Sequence, residues 1–412
     1  MRDDMKKLLS ALLALVMICS FTACTSSQSS SASDTSAASQ TEAPSDTPSS
    51  DEPELEKLEW VDYAEYSLEE DVPVKNIILM IGDGMGKNII KASELVKGDK
   101  LVMSGMKHNT TVTTYSQSVT EGKAEYTDSA ASATAISTGV KTYNDCIGVD
   151  ADGNDLETIC EYAQSLDMKT GLVARQVVCH ATPAGMVAHN GSRSNYPKIM
   201  LDMVKSDVDV MLGGGSEYYS NYKKIQDTVA EHKYKYITKS NELDALSTDD
   251  SKVLGLFAYN NRGAADMAPS LMRMTSKALD LLENDNGFFL MVEGSNIDTY
   301  EHKSDMETTL AQMQGFDQAI DCVLQWAEKH PGTLVIVTAD HETGGVTLPD
   351  NPKPEDINND CFTSDGTHTN SNVALMASGA QSAGLCKNEL IDNTDIANYM
   401  RKVLADSHKK SE

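Results

Sequence analysis

The chain has 412 residues, 40% of them hydrophobic, and a formal net charge of −28. That is enough for one large domain or two ordinary ones, with ample apolar content for a buried core. The acidity argues against capturing DNA or anionic lipid by bulk electrostatics, so any anionic substrate needs a local positive site.

The N-terminus is read as targeting rather than fold. Leu8 to Cys19 is an apolar run too short to span a bilayer comfortably, and it leads into SFTAC with small residues before Cys24. Residues 1–23 are therefore expected to be a signal peptide. A cysteine directly after a short apolar core resembles the lipobox of bacterial lipoproteins, in which Cys24 becomes the lipidated first residue, although Phe21 is not the usual residue three positions before it. The alternative is an ordinary signal peptide with an incidental cysteine. Residues 25–53 are Ser-, Thr-, Ala-, Asp- and Pro-rich and cannot bury enough surface to offset their ordering entropy. The expected order is a disordered acidic tether over 24–72, a folded domain over 73–405 and a charged tail over 406–412, exported and lipid-anchored to the cell membrane.

Beyond Cys19 and Cys24, six cysteines remain: Cys146, Cys160, Cys179, Cys322, Cys361 and Cys386. None forms a CxxC pair, which argues against a zinc ribbon. Export permits disulfides, but spacing does not give their connectivity, and single buried thiols are the default reading.

Three near-continuous apolar runs read as strands buried on both faces, the mark of a parallel sheet. Val74–Ile81 is followed by Gly82-Asp83-Gly84, Phe288–Val292 by Glu293-Gly294, and Leu334–Thr338 by Ala339-Asp340-His341. Gly171–Val178, leading into His180, and Val208–Leu212, leading into three glycines, fit the same sheet. Helical stretches at Asp155–Leu166, Met267–Glu283 and Thr308–Lys329 alternate with them, as in βαβ units. Ligands in such sheets bind beyond the carboxyl ends of strands, and three acids delivered to that edge indicate a shared site. GDGMG at 82–86 lacks dinucleotide-loop spacing, and Asp83 would repel a pyrophosphate.

Asp298 and His302 are four residues apart and share one face of a helical turn, as a metal pair would. Asp340-His341 supplies another acid and imidazole. His368 lies in a polar loop before an apolar strand at Val373–Ala377. With Asp83 and Glu293, these hard oxygens and imidazoles suit zinc or manganese, and magnesium where oxygens dominate. His108, His189, His232, His330 and His408 are read as structural or exposed. In YTDSAASATA (126–135), Asp128 is a candidate N-cap, Ser129 the first helical residue and Gly139 the stop. By itself the decamer reads rather as a capped, alanine-rich helix with no chemistry.

Together YTDSAASATA, GDGMG, VEGSNID, TADHETGG and the later His368 resemble the alkaline phosphatases, in the family's order over most of residues 74–378. The resemblance implies a three-layer α/β/α sandwich with a central, mostly parallel sheet, a homodimer, and hydrolysis of small phosphate monoesters. It implies Ser129 as the nucleophile that becomes phosphoserine. It also implies one zinc at Asp298, His302 and His368, a second at Asp83, Asp340 and His341, and magnesium at Asp83, Thr182 and Glu293. Arg193, eleven residues after Thr182, has the family's spacing for the arginine that clamps phosphate. Two departures fall near the third metal and the phosphate: His180 stands where the enterobacterial branch has Asp, and Thr299 where many members have Lys or His. Three divalent ions and Arg193 would outweigh the ligand carboxylates, Asp128 and a serine alkoxide, giving an acidic protein a positive pocket. The competing readings are a phosphodiesterase or phosphonate-type hydrolase of the same superfamily, and a surface lipoprotein that only binds phosphate.

Overall fold

A computed structural model of the chain describes residues 55–56, 58–257, 266–267 and 269–409; the expected signal peptide, Cys24 and residues 25–53 lie outside these. The core element is a ten-stranded sheet. Its strands, in chain order, are β1 (Asn76–Gly82), β2 (His108–Thr113), β3 (Lys169–Val177), β4 (Val210–Gly214), β5 (Lys235–Ile237), β6 (Val253–Leu256), β7 (Phe288–Gly294), β8 (Thr333–Thr338), β9 (Val373–Gly379) and β10 (Leu390–Asp392). The spatial order is β10-β2-β9-β8-β1-β7-β3-β4-β6-β5. Only β9 runs against its neighbours, pairing antiparallel with both β8 and β2. The apolar runs explain the centre of the sheet: every residue of β1, β7 and β8 is buried.

Helices flank the sheet. A long helix at Met306–Glu328 packs on Leu271–Leu282 and on strands β1, β7 and β8, while the helix Ser129–Thr138 packs on Asn393–Ser407. Their starts follow capping chemistry rather than apolar period alone. The Ser270 side chain accepts from Arg273 N, so the expected Met267–Glu283 helix begins at Leu271, and Met267 instead pairs in a short strand with Leu55. Thr158 and Glu161 form a capping box, so the expected Asp155–Leu166 helix begins at Ile159.

Two expected boundaries move. The tether does not reach residue 72: Leu58 is buried, and Trp60, Val61, Tyr66, Leu68 and Val72 pack against the core. Tyr66 OH bonds to Asp321, Ser67 N donates to Glu328 Oε1 at 2.9 Å, and Gln318 Nε2 donates to Glu59 O at 2.9 Å. The reason is composition: past residue 57 the chain regains the apolar side chains that residues 25–53 lack. At the other end, the helix Asn393–Ser407 runs into the expected tail. The six cysteines are all unpaired thiols, with Cys160, Cys179 and Cys361 buried.

Register brings the site together. Ile81 of β1 lies opposite Thr338 of β8 on one side and Glu293 of β7 on the other. Asp83, Glu293 and the Asp340-His341 pair therefore emerge side by side at the carboxyl edge.

Candidate metal and phosphate site

The three acids are all buried. Gly84 turns the chain after Asp83 at φ +76°, and its N–H donates to Asp340 Oδ1 at 3.1 Å. A Cβ at Gly84 would come within 2.6 Å of Glu301 Oε2 and 3.0 Å of Asp298 Cα, so only glycine fits this turn. Asp340 Oδ1 also accepts from His341 N at 3.0 Å. Asp340 Oδ2, Asp83 Oδ1, both Glu293 carboxylate oxygens and Thr182 Oγ1 are buried without hydrogen-bond partners. Burial, reinforced by neighbouring carboxylates, pushes Asp83 well up and Asp340 up to about 7; burial likewise raises Glu293 to about 7. A cluster of dehydrated carboxylates of one sign is costly unless cations compensate it. The donor set therefore fits divalent metal ions.

The histidines point the same way through their tautomers. His302 Nδ1 donates to the Gly366 carbonyl, and His368 Nδ1 donates to the Thr127 carbonyl at 2.8 Å. Thr343 Oγ1 donates to Asp298 Oδ1 at 2.6 Å, which leaves its oxygen to accept from His341 Nδ1 at 3.2 Å. In the neutral form of each ring the proton is held at Nδ1, so that a bare Nε2 faces the site, as metal-binding imidazoles require. His302 Nε2 lies 3.2 Å from Asp298 Oδ2 and 3.3 Å from His368 Nε2. His341 Nε2 lies 3.2 Å from Asp340 Oδ2 and 3.5 Å from Asp83 Oδ1. Against the upward push of burial, the His302 bond and the surrounding imidazoles hold Asp298 below the usual carboxylate range. Burial lowers His341 and His368, and the Asp298 bond raises His302.

Three sets of ligand atoms each fall within 4.8 Å of one another: Asp298, His302 and His368; Asp83, Asp298 and His341; and Asp83, His180 and Glu293. The first is the expected trio. In the second, Asp298 stands beside His341, with Asp340 Oδ2 also in contact. In the third, His180 joins Asp83 and Glu293, and the buried Thr182 hydroxyl lies beside Glu293.

Ser129 opens the helix Ser129–Thr138 and is buried, with its hydroxyl donating to His341 Nε2 at 3.2 Å. As expected, Asp128 caps this helix, accepting from Ala131 N at 3.0 Å, and Gly139 ends it at φ +81°. Arg193 Nη1 donates to Asp128 Oδ2 at 3.0 Å and Nη2 donates to His180 Nε2 at 3.2 Å. Burial, with the adjacent guanidinium, lowers His180 to about 4 and keeps it neutral. Thr299 accepts from Gln176 Nε2 at 3.2 Å. Residues that sequence reasoning missed include Thr343, which sits inside TADHETGG and could have been flagged there. Glu301, buried with both carboxylate oxygens unpartnered against Gly84, carries no sequence signal beyond its place beside His302.

Carboxylates and imidazoles converge around a serine at a helix N-terminus, with a guanidinium alongside. Such a site is built for divalent cations and an anionic substrate. The chain matches the family model described as alkaline phosphatase over residues 74–360. It is 38% identical over 314 residues to alkaline phosphatase 4 of Bacillus subtilis, covering 71% of this chain and 66% of that protein. The chain thus spans just under two thirds of that relative. It is 31% identical over 415 residues to the alkaline phosphatase of Escherichia coli, covering 81% and 87%. Among solved structures, a cold-active alkaline phosphatase from a psychrophilic Shewanella superposes with a TM-score of 0.71 at 32% identity, covering 80% of this chain and 99% of that one. The alkaline phosphatase of the Antarctic bacterium TAB5 gives 0.70 at 31% identity, covering 81% and 99%. The chain belongs to the alkaline phosphatase family.

Proposed function

We propose that the chain hydrolyses phosphate monoesters through a phosphoserine at Ser129. The observation that carries this reading is the Ser129 hydroxyl at a helix N-terminus, 3.2 Å from His341 Nε2 and beside the buried carboxylates. Family membership and the names of the relatives support it. Asp298, His302 and His368 would hold one zinc ion and Asp83, Asp340 and His341 a second. Asp83, Glu293 and Thr182 or His180 would hold a third ion, magnesium by analogy with the family. Bound there, the ions would supply the Lewis-acid charge that lowers hydroxyl and water pKa values and stabilises a leaving oxygen.

The chain's own residues do the rest. With His341 Nε2 taken up in holding the ion, the Ser129 proton leaves to solvent water, and Oγ attacks phosphorus. The Oγ–P bond forms, and the bond to the alcohol oxygen breaks with its electron pair. Water then attacks the phosphoserine in line, breaking P–Oγ and releasing inorganic phosphate. Arg193, aimed by Asp128, can bond two non-bridging oxygens through its planar fork. That grip favours a monoester dianion over a diester and reads the phosphate rather than the alcohol, so a broad range of monoesters would be accepted. The first turn of the Ser129 helix offers its N–H groups to the same anion.

Export, a lipid anchor at Cys24 and assembly as a homodimer complete the proposal. Mass analysis of the mature N-terminus should find acylated Cys24; an unmodified start elsewhere removes the anchor.

The decisive experiment compares wild type and Ser129→Ala on an aryl phosphate and the matching diester, with zinc and magnesium supplied. Monoester turnover lost in the variant, with phosphate binding retained, supports the reading. A wild type that prefers the diester, or that binds phosphate without turnover, overturns it.

A further inference from the structure

Asp340 is fixed from two sides. Its Oδ1 is occupied by the N–H groups of Gly84 and His341, which leaves Oδ2 for the site. Its backbone carbonyl accepts the Ser132 hydroxyl at 2.6 Å. Ser132 is buried and lies one turn after Ser129 on the same helix. A serine hydroxyl has a single proton, so its direction decides whether this bond exists.

That direction is set from the far end of the fold. Asn393, the fully buried first residue of the C-terminal helix Asn393–Ser407, donates from Nδ2 to Ser132 Oγ at 3.1 Å. Its Oδ1 accepts from Lys141 Nζ at 2.6 Å. An ammonium can only donate, so the amide cannot be turned around. Lys141 is held in turn by Asp392 Oδ1 at 3.0 Å. The direction of every bond in the series Lys141, Asn393, Ser132, Asp340 carbonyl is therefore set, and buried bonds in such a series reinforce one another.

We infer that Asn393 is a positioning residue: through Ser132 it holds the turn bearing Asp340 and His341 at a fixed distance from the Ser129 helix, and so sets metal affinity at a site it never touches. The inference rests on the proposed function above. It also gives the C-terminal helix a role in the site besides packing.

Asn393→Asp tests it. The carboxylate keeps the shape and the acceptor for Lys141. It loses the donor to Ser132 and competes with the Asp340 carbonyl for the serine proton. Zinc retention by the holoenzyme is read by competition with a chromophoric chelator, alongside kcat, KM and the thermal midpoint. Zinc affinity should fall about tenfold or more, the range seen when a group supporting a metal ligand is removed, with kcat reduced and KM little changed. Ser132→Ala, an uncharged change in an alanine-rich helix that tolerates it, should give the same loss. The double variant should add nothing to either. Wild-type zinc retention in both single variants, or additive losses in the double, overturns the inference. A wild-type chain that neither holds zinc nor turns over overturns the functional reading instead.

Discussion

Asp128 serves Arg193 and the nucleophile's helix with one carboxylate: Oδ2 accepts from Arg193 Nη1 at 3.0 Å while Oδ1 caps Ala131 N at 3.0 Å. The phosphate clamp and the attacking serine are therefore set by the same side chain, and Asp145 N at 3.0 Å pins that side chain a third time. Asp128→Ala should free the guanidinium from its orientation. Inhibition by inorganic phosphate should weaken severalfold. Losing the cap should also cost about 1 kcal/mol of stability. Phosphate inhibition constants and a urea titration read the two effects separately. Phosphate binding as tight as in the wild type would show that Arg193 needs no such support.

The third ligand group sets an imidazole, His180, among the carboxylates of Asp83 and Glu293. Imidazole suits zinc, whereas magnesium demands oxygen ligands. His180→Asp, with the Thr182 hydroxyl close by in sequence, should therefore raise the third site's preference for magnesium over zinc. Metal content after dialysis against both ions measures this directly. The zinc-to-magnesium ratio should drop in the variant, and activity should become more dependent on added magnesium. Equal ratios in the two proteins would mean that His180 does not ligate.

How much of this could be read in the sequence depended on distance along the chain. The central strands announce themselves because burial on both faces leaves unbroken apolar runs, and the acids at their ends follow directly. Asp128 and Gly139 were legible because capping is local. The outer strands β2, β5, β6 and β10 gave no comparable signal, being short or half polar. The contacts that orient the ligands were out of reach for another reason. Thr343 acts on Asp298 from 45 positions away and Asn393 on Ser132 from 261, and no local pattern records such pairings. The tether's end was misplaced because Leu58, Trp60 and Tyr66 make no helix or strand period, although they pack on the core.

That packing makes a deletion prediction. Glu59, Tyr66 and Ser67 bond to the helix Met306–Glu328 through Gln318, Asp321 and Glu328, and Glu70 bonds to His108. Removing residues 1–54 should leave turnover and thermal midpoint unchanged. Removing residues 1–72 should destabilise strongly, because burying an apolar side chain is worth about 1.5–3 kcal/mol and the deletion takes away Leu58, Trp60 and Leu68 and uncovers the core beneath them. Tyr66→Phe isolates one bond and should cost about 1 kcal/mol. Equal melting of the two truncated chains would make the segment a tether after all.

Asp317 supplies a pH prediction away from the metal ligands. It is fully buried in the helix Met306–Glu328, accepting from Val102 N at 3.1 Å and Met103 N at 3.3 Å. Burial pushes its carboxyl up to about 6, against about 4 for an unfolded aspartate. The folded state therefore keeps the proton over a range in which the unfolded chain has lost it. The protonated acid's contribution is fully present below about pH 4 and is lost as pH rises through about 6, amounting to about 2–3 kcal/mol. Asn at this position carries no charge at any pH. The difference in unfolding free energy, Asp317→Asn minus wild type, should therefore climb between about pH 4 and 6 and then level. Urea titrations of the two metal-loaded proteins across that range measure the difference, in which carboxylates common to both cancel. A difference that stays flat from pH 4 to 7 would show that Asp317 ionises in the folded protein as readily as in water.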